Sequence, residues 1–145
     1  MKKLSYILFL IVGVFQFNCS GFVNNVKIIG NYSLVAVDED EQLDICYFDP
    51  DDKNNGCIPV ITATVFAVGY NKDYIIAQQH PRIFPNPPDK TVTNYYILPV
   101  DYKNKHLGDK FGLIGPLTSA QFNAKRIELR VPNNLKFKTI REGLK

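Results

Sequence analysis

The chain has 145 residues, 46% of them hydrophobic and 21% charged, with 17 basic and 14 acidic side chains and a formal net charge of +3. That length suits one domain with one sizeable core, whereas two domains would each be marginal. A balance so near neutrality excludes bulk attraction to nucleic acid.

Met1, Lys2 and Lys3 form a positive tip, and residues 4–17 are apolar apart from Ser5, Gly13 and Gln16. This is the layout of an export signal. The run is too short for a bilayer core roughly 30 Å thick, which takes about 20 helical residues, so residues 1–18 read as a signal peptide that is removed. Cys19 follows where a bacterial lipoprotein signal places its lipidated cysteine, although Gln16 and Asn18 depart from the usual aliphatic and small residues of that box. Ordinary cleavage after Ser20 or Gly21, giving a secreted or periplasmic protein, and an uncleaved anchor are the rivals. On the first reading residues 19–30 are the attachment point and tether, and residues 31–145 are a single domain. Losing Lys2 and Lys3 leaves 15 bases against 14 acids, a net charge of +1.

NYSLVAV (31–37) alternates, DEDEQ (38–42) is a charged turn and LDICYF (43–48) alternates again, which predicts a first hairpin. With Cys19 acylated, Cys46 and Cys57 are the two cysteines left. An exported compartment permits their pairing, and a turn centred between Asp51 and Asp52 can bring both side chains to one face. Reduced core cysteines are the alternative.

IPVITATVFAVGY (58–70) is rich in β-branched and aromatic residues, with its regular part expected after Pro59. In VFAVGYNKDYIIAQQH a reversal centred on Lys72 pairs Tyr70 with Tyr74, Val68 with Ile76 and Phe66 with Gln78. Both faces of that hairpin are apolar, so a packed cover such as a helix is expected. HPRIFPNPPDKT (80–91) holds four prolines and is an extended loop. VTNYYILPV (92–100) is a strand placed near an edge by Pro99.

At LTSAQFNAKRIELRV (117–131) the pattern becomes helical. Thr118 is a good N-cap, Gln121 completes a capping box, and Leu117 and Phe122 occupy the two positions of a hydrophobic staple. The helix runs to about Arg130 before Pro132 stops it. LKFKTI (135–140) alternates once more, with Lys136 and Lys138 outward. The order predicts an α+β fold: a largely antiparallel sheet of five or six strands with one short C-terminal helix.

Chemistry-bearing residues are few. His80 and His106 both fall in loop context, and no nucleophile sits in a Gly-x-Ser-x-Gly turn. Cys46, Cys57, His80 and His106 lack the close spacing of a zinc site. DPDDKNNG has Lys53 and Gly56 in the wrong places for an EF-hand, and turn formation by Asp, Asn and Gly explains it. The sequence therefore assigns no catalytic residue, metal or cofactor. Tyr70, Tyr74, Tyr95 and Tyr96 can contribute to an aromatic binding surface, with half-buried strand structure as the plainer reading. Charge is uneven: residues 31–60 carry eight acids and one base, and residues 103–145 carry ten bases and three acids. A basic C-terminal face or an acidic loop can dock a partner.

The blocks SLVAVDEDEQLDICY, VFAVGYNKDYIIAQQHP, NYYILPV and GPLTSAQFNAKRIEL span most of residues 31–129. They resemble a family of small uncharacterised bacterial proteins, many with a lipoprotein-type signal, associated with Bacteroidota. The resemblance implies acylation of Cys19 and carries no residue with an assigned role. The expectation is an exported protein, anchored to a cell-envelope membrane by a lipid on Cys19. It serves as a non-catalytic binding or accessory module with a protein partner and no nucleic acid, and Tyr70, Tyr74, Tyr96 and His80 are its candidate binding residues. The alternatives are a small envelope hydrolase using His80, and a structural or inhibitory interaction domain.

Overall fold

The computed structural model describes residues 24–100 and 110–145. The first hairpin forms as expected from β2 (Tyr32–Ala36) and β3 (Asp44–Phe48), with a 3-10 turn at Asp40–Gln42 in the acidic stretch. Part of the expected tether is instead a strand, β1 (Asn24–Ile29), paired antiparallel with β2. The reason lies in its apolar residues: Ile28 is buried in the main core, where a solvated tether would leave it in water.

The apolar run 58–70 breaks into two strands, β4 (Cys57–Ile61) and β5 (Val65–Tyr70). The break is fixed by partners remote in sequence. Gln79 Nε2 donates to the carbonyls of Thr62 and Ala63, and Thr64 Oγ1 donates to the carbonyl of Glu41. Pro59 lies inside β4, contrary to the expectation that the regular strand begins after it. The first sheet has the order β1-β2-β3-β4, so β4 is an edge and the missing N–H costs no interior ladder bond.

The second sheet adds β6 (Tyr74–Gln79), β7 (Asn94–Pro99), β8 (Ile114–Leu117) and β9 (Lys138–Thr139) to β5. Its five antiparallel strands lie in the order β8-β7-β6-β5-β9. The β7 strand lies near an edge, as expected, with β8 as the edge strand beside it. Pro99 is its last residue, where a lost donor does not interrupt the ladder. The segment 114–117, not expected as a strand, forms the edge beside β7.

The helix α1 (Ser119–Glu128) starts where its chemistry predicts. Thr118 Oγ1 accepts from the Gln121 N–H, and Gln121 Oε1 accepts from the Thr118 N–H. Such a cap contributes about 1 kcal/mol. The helix ends slightly earlier than expected, with Arg130 in the left-handed region at φ 56°.

The class is α+β, with a five-stranded antiparallel sheet and one C-terminal helix as expected; the four-stranded sheet comes in addition. The result is three layers. Leu34, Ile45 and Tyr47 of the first sheet meet Val68, Ala77 and Leu98 of the second in the main core. On the other face of the second sheet, Ile76 and Ile97 pack against Phe122, Val131 and Leu135. The packed cover expected for the β5–β6 hairpin is thus α1 together with the chain that follows it.

Candidate functional site

A cleft of about 600 Å³ opens where an edge strand of each sheet comes to the same side of the domain. Its floor is apolar: Ile28 of β1, Leu34 of β2, Val68 of β5, and Leu135 and Ile140 of the tail. Val26 and Tyr70 stand in its walls, 50% and 52% exposed. The rim is cationic, formed by Lys27, Lys136, Lys138 and Arg141, all exposed. No carboxylate lines the cleft among the described residues, although Arg141 reaches Asp40 outside it at 3.6 Å, both half-exposed.

The tail reaches the cleft by specific contacts. Arg126 of α1 donates from Nη2 to the carbonyls of Pro132 and Leu135, at 2.6 and 3.0 Å, and its guanidinium lies 5.5 Å from the centre of the Phe122 ring. Leu135 is thereby held on the second sheet, and the Lys136 carbonyl passes directly over Gly69. A side chain there would put its Cβ 2.3 Å from that oxygen, so only glycine lets the backbones approach so closely. Lys138 and Thr139 then pair with Val68 and Ala67, which sets Lys138 at the edge of the second sheet.

Of the candidate binding residues Tyr70, Tyr74, Tyr96 and His80, Tyr70 alone lines this cleft. The β5–β6 register differs by one residue from that expected: Tyr70 pairs with Ile75, and Asn71 Oδ1 accepts from the N–H groups of both Asp73 and Tyr74. A one-residue shift sends Tyr74 to the opposite face. There its hydroxyl donates to the Leu129 carbonyl at 3.0 Å. Tyr96 is 8% exposed, with its hydroxyl 3.3 Å from Gln79 Oε1, and burial raises its pKa above the ordinary tyrosine value. Tyr95 packs against Phe122 and Phe137. The tyrosines therefore do not share a surface.

His80 follows β6 directly, in the loop its context suggests, but it is buried. It is 3% exposed, stacks on Phe66 at 4.3 Å, and exchanges backbone hydrogen bonds with Thr64. Its Nδ1 lies 2.7 Å from the Val92 carbonyl, which can only accept, so the proton is on Nδ1. Nε2 is buried and makes no hydrogen bond, and no described hydroxyl or thiol is held against it. Cys46 and Cys57 lie at disulfide distance, with Cα atoms 5.4 Å apart. Cys19 and His106 lie outside the described residues.

A smaller pocket of about 250 Å³ has Asp44, Gln42, Thr62, Arg82 and Phe84 in its wall. Burial pushes the Asp44 carboxyl up to about 6, against the opposing effect of the Ala63 N–H. Arg82 is nearly buried and donates to Glu39 and to the Asn86 carbonyl. In the DPDDKNNG loop, Asp52 accepts from the N–H groups of Asn54 and Gly56, which lowers its pKa and accounts for the loop by turn chemistry. No group of three or more His, Cys, Asp or Glu side chains is placed to hold a metal ion among the described residues. No described helix is long and apolar enough to cross a membrane.

A family model described as a protein of unknown function (DUF3997) matches residues 29–141. The chain belongs to the DUF3997 family. That match takes in β2 to β9, α1 and most of the cleft, so the basic rim at Lys136, Lys138 and Arg141 falls within the DUF3997 region. No match was found among curated proteins or among solved structures.

Proposed function

We propose that this DUF3997 protein is an exported, non-catalytic binding module of the bacterial envelope, held at a membrane by an acyl group on Cys19, with the basic cleft as its binding face. The leader ahead of Cys19 and the resemblance to lipoprotein-bearing Bacteroidota proteins support the placement. The observation that carries the binding role is the cleft itself, where four exposed cations surround an apolar floor and a half-exposed tyrosine. That combination suits a ligand with both acidic and apolar parts, because each contact type alone would be weak at so exposed a site. Anchoring would confine the module to two dimensions and raise its effective concentration near a membrane partner.

Two measurements test this. Intact-mass analysis of the membrane fraction is expected to show a cut before Cys19 with added acyl mass, lost in Cys19→Ser; an unacylated chain retaining residues 1–18 would overturn the placement. A fluorescent apolar sulfonate is expected to bind the purified protein saturably and to lose affinity about tenfold in Lys136→Glu/Lys138→Glu. Equal binding by that variant would remove the cleft from the reading.

A further inference from the structure

We propose that β1 is a docking edge to which an extended, acidic segment of a partner protein adds as a further strand, its side chains alternating between the floor and the basic rim of the cleft. This rests on the cleft being the binding face, and it names the class of ligand.

The argument begins with the four strand edges. An uncovered edge offers unpaired N–H and C=O groups to any passing strand, and folded proteins blunt such edges with proline, lysine or short length. Three edges here are blunted. Pro59 interrupts β4, Pro116 interrupts the four-residue β8, and β9 is two residues long and carries Lys138. Strand β1 also carries a lysine, Lys27, and a bulge, but at six residues it is the longest of the four edges, has no proline, and keeps Val26 half-exposed. Among the described residues, no strand pairs with its outer side. A bulge between Lys27 and Ile29 ends its regular ladder, leaving the stretch from Asn24 to Lys27 as the pairing template.

This edge lines the basic cleft, which selects what can pair with it. Main-chain hydrogen bonds supply affinity in strand addition, and pockets for alternate side chains supply specificity. Residues turned inward would meet Ile28, Leu34 and Val68, and those turned outward would meet Lys27, Lys136, Lys138 and Arg141. An alternating apolar and acidic sequence satisfies both. A lipid tail fits less well, since an acyl chain has no groups to pair with the exposed backbone of β1.

The test uses the purified protein and a capped hexapeptide of alternating glutamate and valine, followed by calorimetry, in parallel with three comparison ligands. These are the same peptide N-methylated at alternate amides, its lysine-for-glutamate counterpart, and decanoate. Saturable binding of the first peptide is expected, with N-methylation and charge exchange each weakening it at least about tenfold. Lys136→Glu/Lys138→Glu should weaken it similarly, and Val26→Pro should abolish it. Because the N-methylated arm leaves the protein unaltered, the outcome does not depend on how well Val26→Pro folds. Equal affinity for the N-methylated peptide, or saturable decanoate binding without peptide binding, would overturn the strand proposal. If the sulfonate still binds at the cleft while the peptide does not, strand addition fails and the binding face stands. If neither binds, both fall.

Discussion

Replacing Gly69 by alanine sets two effects of opposite sign against each other. In an ordinary strand the change removes unfolded-chain entropy and stabilises by about 0.4–1 kcal/mol. At this position the new Cβ would lie 2.3 Å from the Lys136 carbonyl oxygen, 3.0 Å from its carbon and 3.1 Å from Ile76 Cγ1. Ordinary carbon contacts begin near 3.5 Å, so the tail backbone has to retreat by about 1 Å. It cannot do so freely, because Arg126 grips the Leu135 carbonyl on one side and β9 pairs with β5 on the other. Overpacking of this kind costs about 1–3 kcal/mol. The clash therefore wins, with a net loss of about 1–2 kcal/mol and a thermal midpoint lower by about 3–10 °C for a domain of this size. Thermal and urea unfolding of the oxidised protein measure it. Gly143→Ala, where a Cβ would meet nothing within 4 Å, is the control and should stay within about 0.5 kcal/mol of the parent. A Gly69→Ala protein as stable as the parent would refute the seating of the tail on β5.

Opening the Cys46–Cys57 bridge, by reduction or by changing both residues to alanine, should cost about 3 kcal/mol for a loop of this length, read as a lower urea midpoint; identical midpoints with and without reductant would contradict it. The Asp44 carboxyl, raised from 3.8 to about 6, binds its proton more tightly in the folded than in the unfolded chain. Its contribution to stability is therefore largest below about pH 4 and declines as pH rises to about 6. Asp44→Asn keeps an acceptor for the Ala63 N–H and should gain about 1 kcal/mol at pH 7 after allowance for partial exposure, with the gain vanishing near pH 4; a difference constant across that range would count against the burial argument. Thr118→Ala should lose about 1 kcal/mol by removing half of the capping box, and unchanged unfolding would show that the contacts of Phe122 alone hold the helix start.

What could be read from the sequence was local chemistry. Thr118 and Gln121 announce the helix because both halves of the capping box lie within four residues, and the 31–48 hairpin follows from alternation. The β5–β6 hairpin was visible but its register was not. Asn71 uses one side-chain oxygen to hold two successive N–H groups, which makes Lys72–Asp73 the turn instead of a loop centred on Lys72. The second sheet was hidden because the break in residues 58–70 depends on Gln79 and on the Glu41 carbonyl, neither of them near in sequence. Likewise Lys136 and Lys138 announce themselves as outward, while their meeting with Lys27 and Tyr70 depends on Gly69 admitting the tail. A glycine inside an apolar strand was the one available signal of that close approach.

The pairing of β9 with β5, together with the burial of Leu144 in the main core, has a bearing on how the chain matures. Ribosomes make β5 long before its neighbour on that side, so a nascent chain halted short of residue 138 leaves that side of β5 unpaired and the Leu144 socket unfilled. Contacts this distant along the chain are slow to form, because the intervening loop must first be closed at an entropic cost. Completion of the domain thus waits on a stretch that emerges late.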